Sequence, residues 1–171
     1  MRAIFLILCS VLLNGCLGMP ESVKPVSDFE LNNYLGKWYE VARLDHSFER
    51  GLSQVIAEYR VRNDGGISVL NRGYSEEKGE WKEAEGKAYF VNGSTDGYLK
   101  VSFFGPFYGS YVVFELDREN YSYAFVSGPN TEYLWLLSRT PTVERGILDK
   151  FIEMSKERGF DTNRLIYAQQ Q

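Results

Sequence analysis

Few residues in this chain can carry covalent or acid–base chemistry, and their spacing does not gather them. Histidine occurs once, at His46, and cysteine twice, at Cys9 and Cys16. Nucleophilic catalysis needs a nucleophile, a base and a group that orients the base, and the loop residues Asp45-His46-Ser47 stand without a partner set. No Cys, His and carboxylate spacing suits a metal. Glu83 and Glu85 lie on one strand face, but alternation along residues 81–91 turns that face to water, where carboxylates solvate a barrel. The net charge is −4 and no basic stripe interrupts it, which excludes a nucleic-acid partner. These residues predict no enzyme activity, no cofactor and no metal. Glu40 is the remaining candidate. Strand parity puts it on the inward face with Trp38 and Ala42. It either contacts a ligand or bonds Arg139 or backbone groups, and the second reading is the stronger because an unpaired interior carboxylate is costly.

Cys16 carries chemistry of another kind. Arg2 precedes an apolar run over residues 3–13, too short to span a bilayer and shaped like a secretory signal. It ends in Leu13-Asn14-Gly15-Cys16, which resembles the cleavage box of bacterial lipoproteins. That resemblance implies a signal peptide at 1–15, acylation of Cys16 by chains such as palmitate, and a lipidated N-terminus and tether at 16–28 containing Pro20 and Pro25. The non-acidic Leu17 implies sorting to the outer membrane. With Cys9 discarded and Cys16 acylated, the mature chain holds no disulfide.

The elements that would position a binding site are strands. The aromatic share is 15% and glycine occurs 16 times, a composition suited to an all-β protein. Short β-type runs are expected at 36–44, 54–62, 67–74, 81–91, 98–104, 110–116, 121–127 and 133–138. Asn63-Asp64-Gly65-Gly66 marks a hairpin turn. Eight antiparallel strands suffice to close a barrel around one small ligand. Alternation turns Val55, Ala57, Tyr59 and Val61 inward, opposite Glu58, Arg60 and Arg62. In the same way Ala84, Ala88 and Phe90 face in, as do Leu99, Val101 and Phe103, and Tyr133, Trp135 and Leu137. Because several inward positions are Ala or Val, the barrel is expected to leave a cavity; a barrel filled by its own side chains is the alternative. One helix follows, with Thr140-Pro141 as cap and first residue, an apolar stripe of Val143, Ile147, Phe151 and Met154, and Gly159 as its stop. Residues 164–168 can add a last short strand.

Gly36-Lys37-Trp38 at the head of the first strand resembles the G-x-W signature of lipocalins, and Arg139 follows the eighth strand where that family places an arginine. Asp117, in Leu116-Asp117-Arg118, occupies the aspartate place of the family's T-D-Y turn. Trp38-Tyr39-Glu40-Val41-Ala42-Arg43, Lys100-Val101-Ser102-Phe103-Phe104-Gly105-Pro106-Phe107 and Leu134-Trp135-Leu136-Leu137-Ser138-Arg139-Thr140-Pro141 narrow the resemblance to bacterial outer-membrane lipocalins. It covers residues 29–171 and implies an all-β, eight-stranded antiparallel up-and-down barrel with one C-terminal helix packed outside. Gly36, Trp38, Asp117 and Arg139 would be structural, with the guanidinium stacked on the indole.

The function so implied is storage or transport of a fatty acid or lysophospholipid, for envelope maintenance or stress. The protein would sit on the periplasmic side of the outer membrane, held by acylated Cys16. The ligand-binding set is Ala42, Val55, Ala57, Tyr59, Val69, Asn71, Ala88, Phe90, Val101, Phe103, Tyr111, Val113, Tyr133 and Trp135. Within it Tyr59, Asn71, Tyr111 and Tyr133 are expected to orient a head group near the mouth. A homodimer is also compatible. The rival reading is an envelope interaction module: a filled barrel whose aromatic turn, Phe104, Phe107 and Tyr108, binds a protein.

Overall fold

The computed structural model describes residues 17–170, so the signal segment and Cys16 lie outside the described residues. Its strands are β1 (Gly36–Arg43), β2 (Leu52–Val61), β3 (Ile67–Ser75), β4 (Glu80–Phe90), β5 (Tyr98–Ser102), β6 (Gly109–Leu116), β7 (Tyr123–Ser127), β8 (Leu134–Ser138) and β9 (Ile166–Tyr167). A helical turn, α1 (Leu31–Tyr34), precedes β1, and α2 (Arg145–Glu157) follows β8. Hydrogen-bonded order runs β2-β3-β4-β5-β6-β7-β8-β1, and β1 also pairs with β2, so eight antiparallel strands close on themselves. Closure removes the long free edges of an open sheet, except beyond Tyr39 and Ile56, where the β1–β2 pairing stops.

Alternation makes two cores from one sheet. Inside the barrel, Trp38, Tyr59, Val69, Ala88, Leu99, Val113 and Leu137 pack together. Outside, Val112, Phe125, Leu134 and Leu136 meet Phe151 of α2. Successive residues Val112 and Val113 are both fully buried because the helix covers the outer face there. The α2 stripe is as expected, with Phe151 edge-on to Phe125 at 5.0 Å. Gly159 ends the helix at φ +84°. The Gly159 amide donates to Lys156 O and the Phe160 amide to Ser155 O, the double bond of a Schellman stop.

Three local expectations fail for identifiable reasons. The helix starts at Arg145, not at Thr140-Pro141. Thr140 Oγ1 instead donates to Thr142 O at 2.7 Å, holding a turn that carries the chain from the barrel end onto its outer wall. Val61 is 58% exposed. The last β1–β2 pair is Gly36 with Tyr59, so Val61 projects beyond the barrel wall. Along β1 the pairing with β8 slips between Glu40 and Ala42. The extra residue reverses the parity of the strand's second half.

Residues 17–28 lie against the barrel. The Val26 amide donates to Val113 O at 2.9 Å and Gly97 donates to Val26 O at 2.8 Å. Val23 joins the outer core and Val26 the inner one. The first residues of this strap run beside the β7–β8 loop, where Ser22 Oγ donates to Arg158 O at 2.8 Å.

Candidate functional site

The barrel holds a cavity of about 670 Å³ that opens at the end carrying the β1–β2 and β5–β6 loops. That volume falls within the roughly 300–1,000 Å³ of small-molecule sites. The opposite end is shut by residues from four segments. Arg139 lies over the Trp38 ring, 3.9 Å from its centroid. Its guanidinium donates to Asn33 O, Leu35 O and Lys37 O at 2.8–2.9 Å and to Tyr121 O at 3.3 Å. Trp38 in turn donates from Nε1 to Tyr34 O at 2.8 Å. Gly36, at φ +91°, supplies the left-handed turn into β1 that brings Trp38 under the barrel. Asp117 accepts from the amides of Glu119, Asn120 and Ser122, holding the β6–β7 turn next to this closure.

Above that floor three phenols meet. Tyr34 and Tyr111 share a hydrogen bond at 2.6 Å, and Tyr59 and Tyr111 share one at 2.8 Å. Burial pushes all three hydroxyls above the usual phenol range, so they stay neutral donors and acceptors. Tyr59 and Tyr111 therefore sit deep in the cavity and satisfy each other, away from the mouth where a head group was expected. The walls are apolar: Val55, Ala57, Val69, Val101, Phe103 and Leu137 line them. Asn71 also lines the wall, and its buried Oδ1 has no hydrogen-bond partner. Tyr133 and Trp135 line the upper wall.

Four residues of the expected binding set do not line the cavity. Ala88, Phe90 and Val113 face inward but pack in the floor beneath it. Ala42 faces the other way, fully buried among Leu134, Leu136 and Phe151 on the outer side. The β1 slip turns Ala42 out and Arg43 in.

That reversal creates the one feature of the site that alternation alone does not show. Arg43, 2% exposed, donates from Nη1 to Glu40 at 2.5 Å and from Nη2 to Glu49 O and Leu52 O. Glu40 thus takes Arg43 as its partner in place of Arg139. Glu49 accepts from Trp135 Nε1 at 3.2 Å, and His46 Nε2 lies 3.0 Å from the same carboxylate oxygen. Glu40 and Glu49 both line the cavity. Burial raises both carboxyls, and for Glu40 the facing Glu49 adds to the rise while Arg43 opposes it. Burial lowers His46 to about 4, so it is neutral at physiological pH. The cluster nails the 44–51 loop, with Phe48, to the mouth. Glu40 and Arg43 stand out as charged positions within β1, but no period or motif in the sequence links them to His46 and Glu49.

The arrangement suits reversible enclosure of an elongated apolar molecule with a polar end. A family model described as a lipocalin-like domain matches residues 29–170. The chain is 99% identical to the outer membrane lipoprotein Blc of Vibrio cholerae over 100% of both chains. It is 50% identical over 151 residues to the outer membrane lipoprotein Blc of Escherichia coli K12, covering 88% of this chain and 85% of the relative. Insecticyanin from the tobacco hornworm Manduca sexta superposes with a TM-score of 0.71 at 24% identity, covering 90% of this chain and 87% of its own, a likeness of fold. Signature, closure and cavity agree with these matches: the chain belongs to the lipocalin family.

Proposed function

We propose that this lipocalin carries a fatty acid or lysophospholipid at the outer membrane, held there by acylated Cys16, and that it performs no catalysis. The observation that carries the reading is the 670 Å³ cavity, apolar along its walls, with charged groups gathered near the mouth and phenols at its floor. An acyl chain fits that distribution, with its methylenes against Val55, Val69 and Val101 and its polar end near Glu49 and Trp135. Asn71 offers a free acceptor partway down.

Magnitudes agree with a carrier that also releases. Each buried methylene contributes ~0.8 kcal/mol, so about 14 of them offer roughly 11 kcal/mol. Association and chain ordering cost at least ~4 kcal/mol. The remaining ~7 kcal/mol corresponds to binding in about the micromolar range.

The test uses the chain from Leu17, which retains every packed segment described above, titrated with lysophospholipid and with fatty acid while following the fluorescence of Trp135. Saturable binding, weakened at least about tenfold by a cavity-filling Val101→Phe substitution, is expected. Absence of saturable binding to either lipid in folded protein would overturn the carrier reading and favour the interaction module.

A further inference from the structure

Two polar groups deep in the cavity have bonds left to make, and they stand beside each other on its wall. Asn71 lines the cavity, and its Oδ1 is buried without a hydrogen-bond partner. Its neighbours across the sheet are Ala57 on β2 and Ala84 on β4, and both line the cavity. Their methyl groups can neither bond the amide nor screen it from a bound chain.

The second group is the phenol cluster. Tyr34, Tyr59 and Tyr111 carry one O–H each, and the two contacts between them use two of the three hydrogens. However the hydroxyls rotate, one hydrogen is left over, and no other hydrogen bond engages the three among the described residues. Tyr59 and Tyr111 line the cavity, so either hydroxyl can turn that hydrogen toward it. Tyr59 pairs with Val69 and Ala57 with Asn71, so Asn71 and Tyr59 are diagonal neighbours on the same inward face. Such neighbours lie roughly 7–8 Å apart, a spacing that a long side chain and one small ligand group can span.

An acceptor that lacks a donor thus adjoins a donor that lacks an acceptor. A methylene chain satisfies neither and seals both from water, which is costly. An ester carbonyl or a carboxylate accepts from the phenol but gives nothing to Asn71, and a carboxyl group does both only when protonated. A hydroxyl does both and is neutral, so burying it carries no charge penalty.

We propose that the cavity selects acyl chains that carry a hydroxyl in their buried part, bound between Asn71 and the Tyr59–Tyr111 pair. The proposal rests on the carrier reading and names the chain chemistry within it. The polar end of the ligand stays near Glu49 and Trp135, and the hydroxyl sets how deep the chain slides. A site built around a hydroxyl discriminates against the chain that lacks it, because its own polar groups are then left unpaired.

The test titrates the chain from Leu17 with octadecanoic acid and with two derivatives, one hydroxylated at mid-chain and one beside the carboxyl. Tryptophan fluorescence is followed below micelle-forming concentrations. The mid-chain derivative is expected to bind about tenfold tighter than the plain acid, and the other derivative no tighter than it. Asn71→Leu keeps the branching of the side chain and removes the amide, and it should bring the plain and mid-chain acids within about twofold of each other. Equal affinity of those two acids for the parent protein needs no variant and overturns the proposal, since water then serves both groups; the carrier reading survives that result. Retention of the preference in folded Asn71→Leu overturns the role given to Asn71. Tightest binding of the derivative hydroxylated beside the carboxyl also overturns the proposal, by placing the carboxyl end at the floor. Failure of all three acids and of lysophospholipid to bind folded protein overturns the carrier reading and this selectivity with it.

Discussion

Replacing Arg139 by Met tests whether the barrel floor is held from one residue. The guanidinium caps the Trp38 indole and donates to carbonyls of four residues in the α1 turn, β1 and the β6–β7 turn. Two of those bonds, to Leu35 O and Tyr121 O, are partly buried, and losing each costs about 1 kcal/mol. The exposed pair, to Asn33 O and Lys37 O, is replaced by water at little cost. The cation–π contact adds ~1 kcal/mol. The sum, about 3 kcal/mol, lowers the midpoint of thermal unfolding by roughly 6–12 °C in a chain of this size. Circular dichroism in the far ultraviolet measures it. Arg139→Lys keeps the charge but not the planar fork, and it should recover less than half of the loss. Neither Arg139 nor Trp38 lines the cavity, so lipid affinity of the folded variant should match the parent. A midpoint shift under about 2 °C would refute the clamp, and weaker lipid binding at full folding would refute the separation of floor from site.

Two further predictions concern the mouth and the strap. His46 takes a proton near pH 6.5 when unfolded but only at about 4 when folded, so the unfolded chain binds more protons between those values and stability falls as pH drops through that window. His46→Gln removes that dependence, and the stability gap between parent and variant should narrow by about 2 kcal/mol from pH 7 to pH 4.5 in urea unfolding; an unchanged gap counts against a buried neutral imidazole. At Gly97 an added Cβ would meet Val26 Cγ2 at 2.7 Å and Val113 O at 3.0 Å. Gly97→Ala should therefore cost about 1–3 kcal/mol and expose residues 17–28 to limited proteolysis, while uniform resistance of the strap would show that it is not held there.

Much of the architecture was readable because it depends on a period of two. The Val55-Ala57-Tyr59 and Val101-Phe103 sets line the cavity as alternation requires, and the indole and guanidinium meet where the signature residues place them. What alternation misses is any place where the count of residues changes. The slip after Glu40 carries no distinctive residue type, yet it moves Ala42 out and brings Arg43 inside. The Arg43–Glu49 contacts then span a loop, and neither periodicity nor motif connects those positions. Ala88, Phe90 and Val113 have the right face and the wrong height, since parity fixes direction without depth. The helix start was misplaced because Thr140-Pro141-Thr142 is a sound cap by composition. The chain still has to cross from the clamp at Arg139 to the outer wall before a helix can pack.

The last described residues close a seam in the wall. β1 leaves β2 after Tyr39, and β9 slots in beyond that point, pairing Tyr167 with Ala42. The Gln54 amide then donates to Gln169 O, and Gln170 donates to Glu40 O and Val55 O, joining both banks of the gap. Those few amides tie the two banks together beside the buried Glu40–Arg43 pair, so the continuity of the barrel wall at that height depends on a segment that belongs to none of its eight strands.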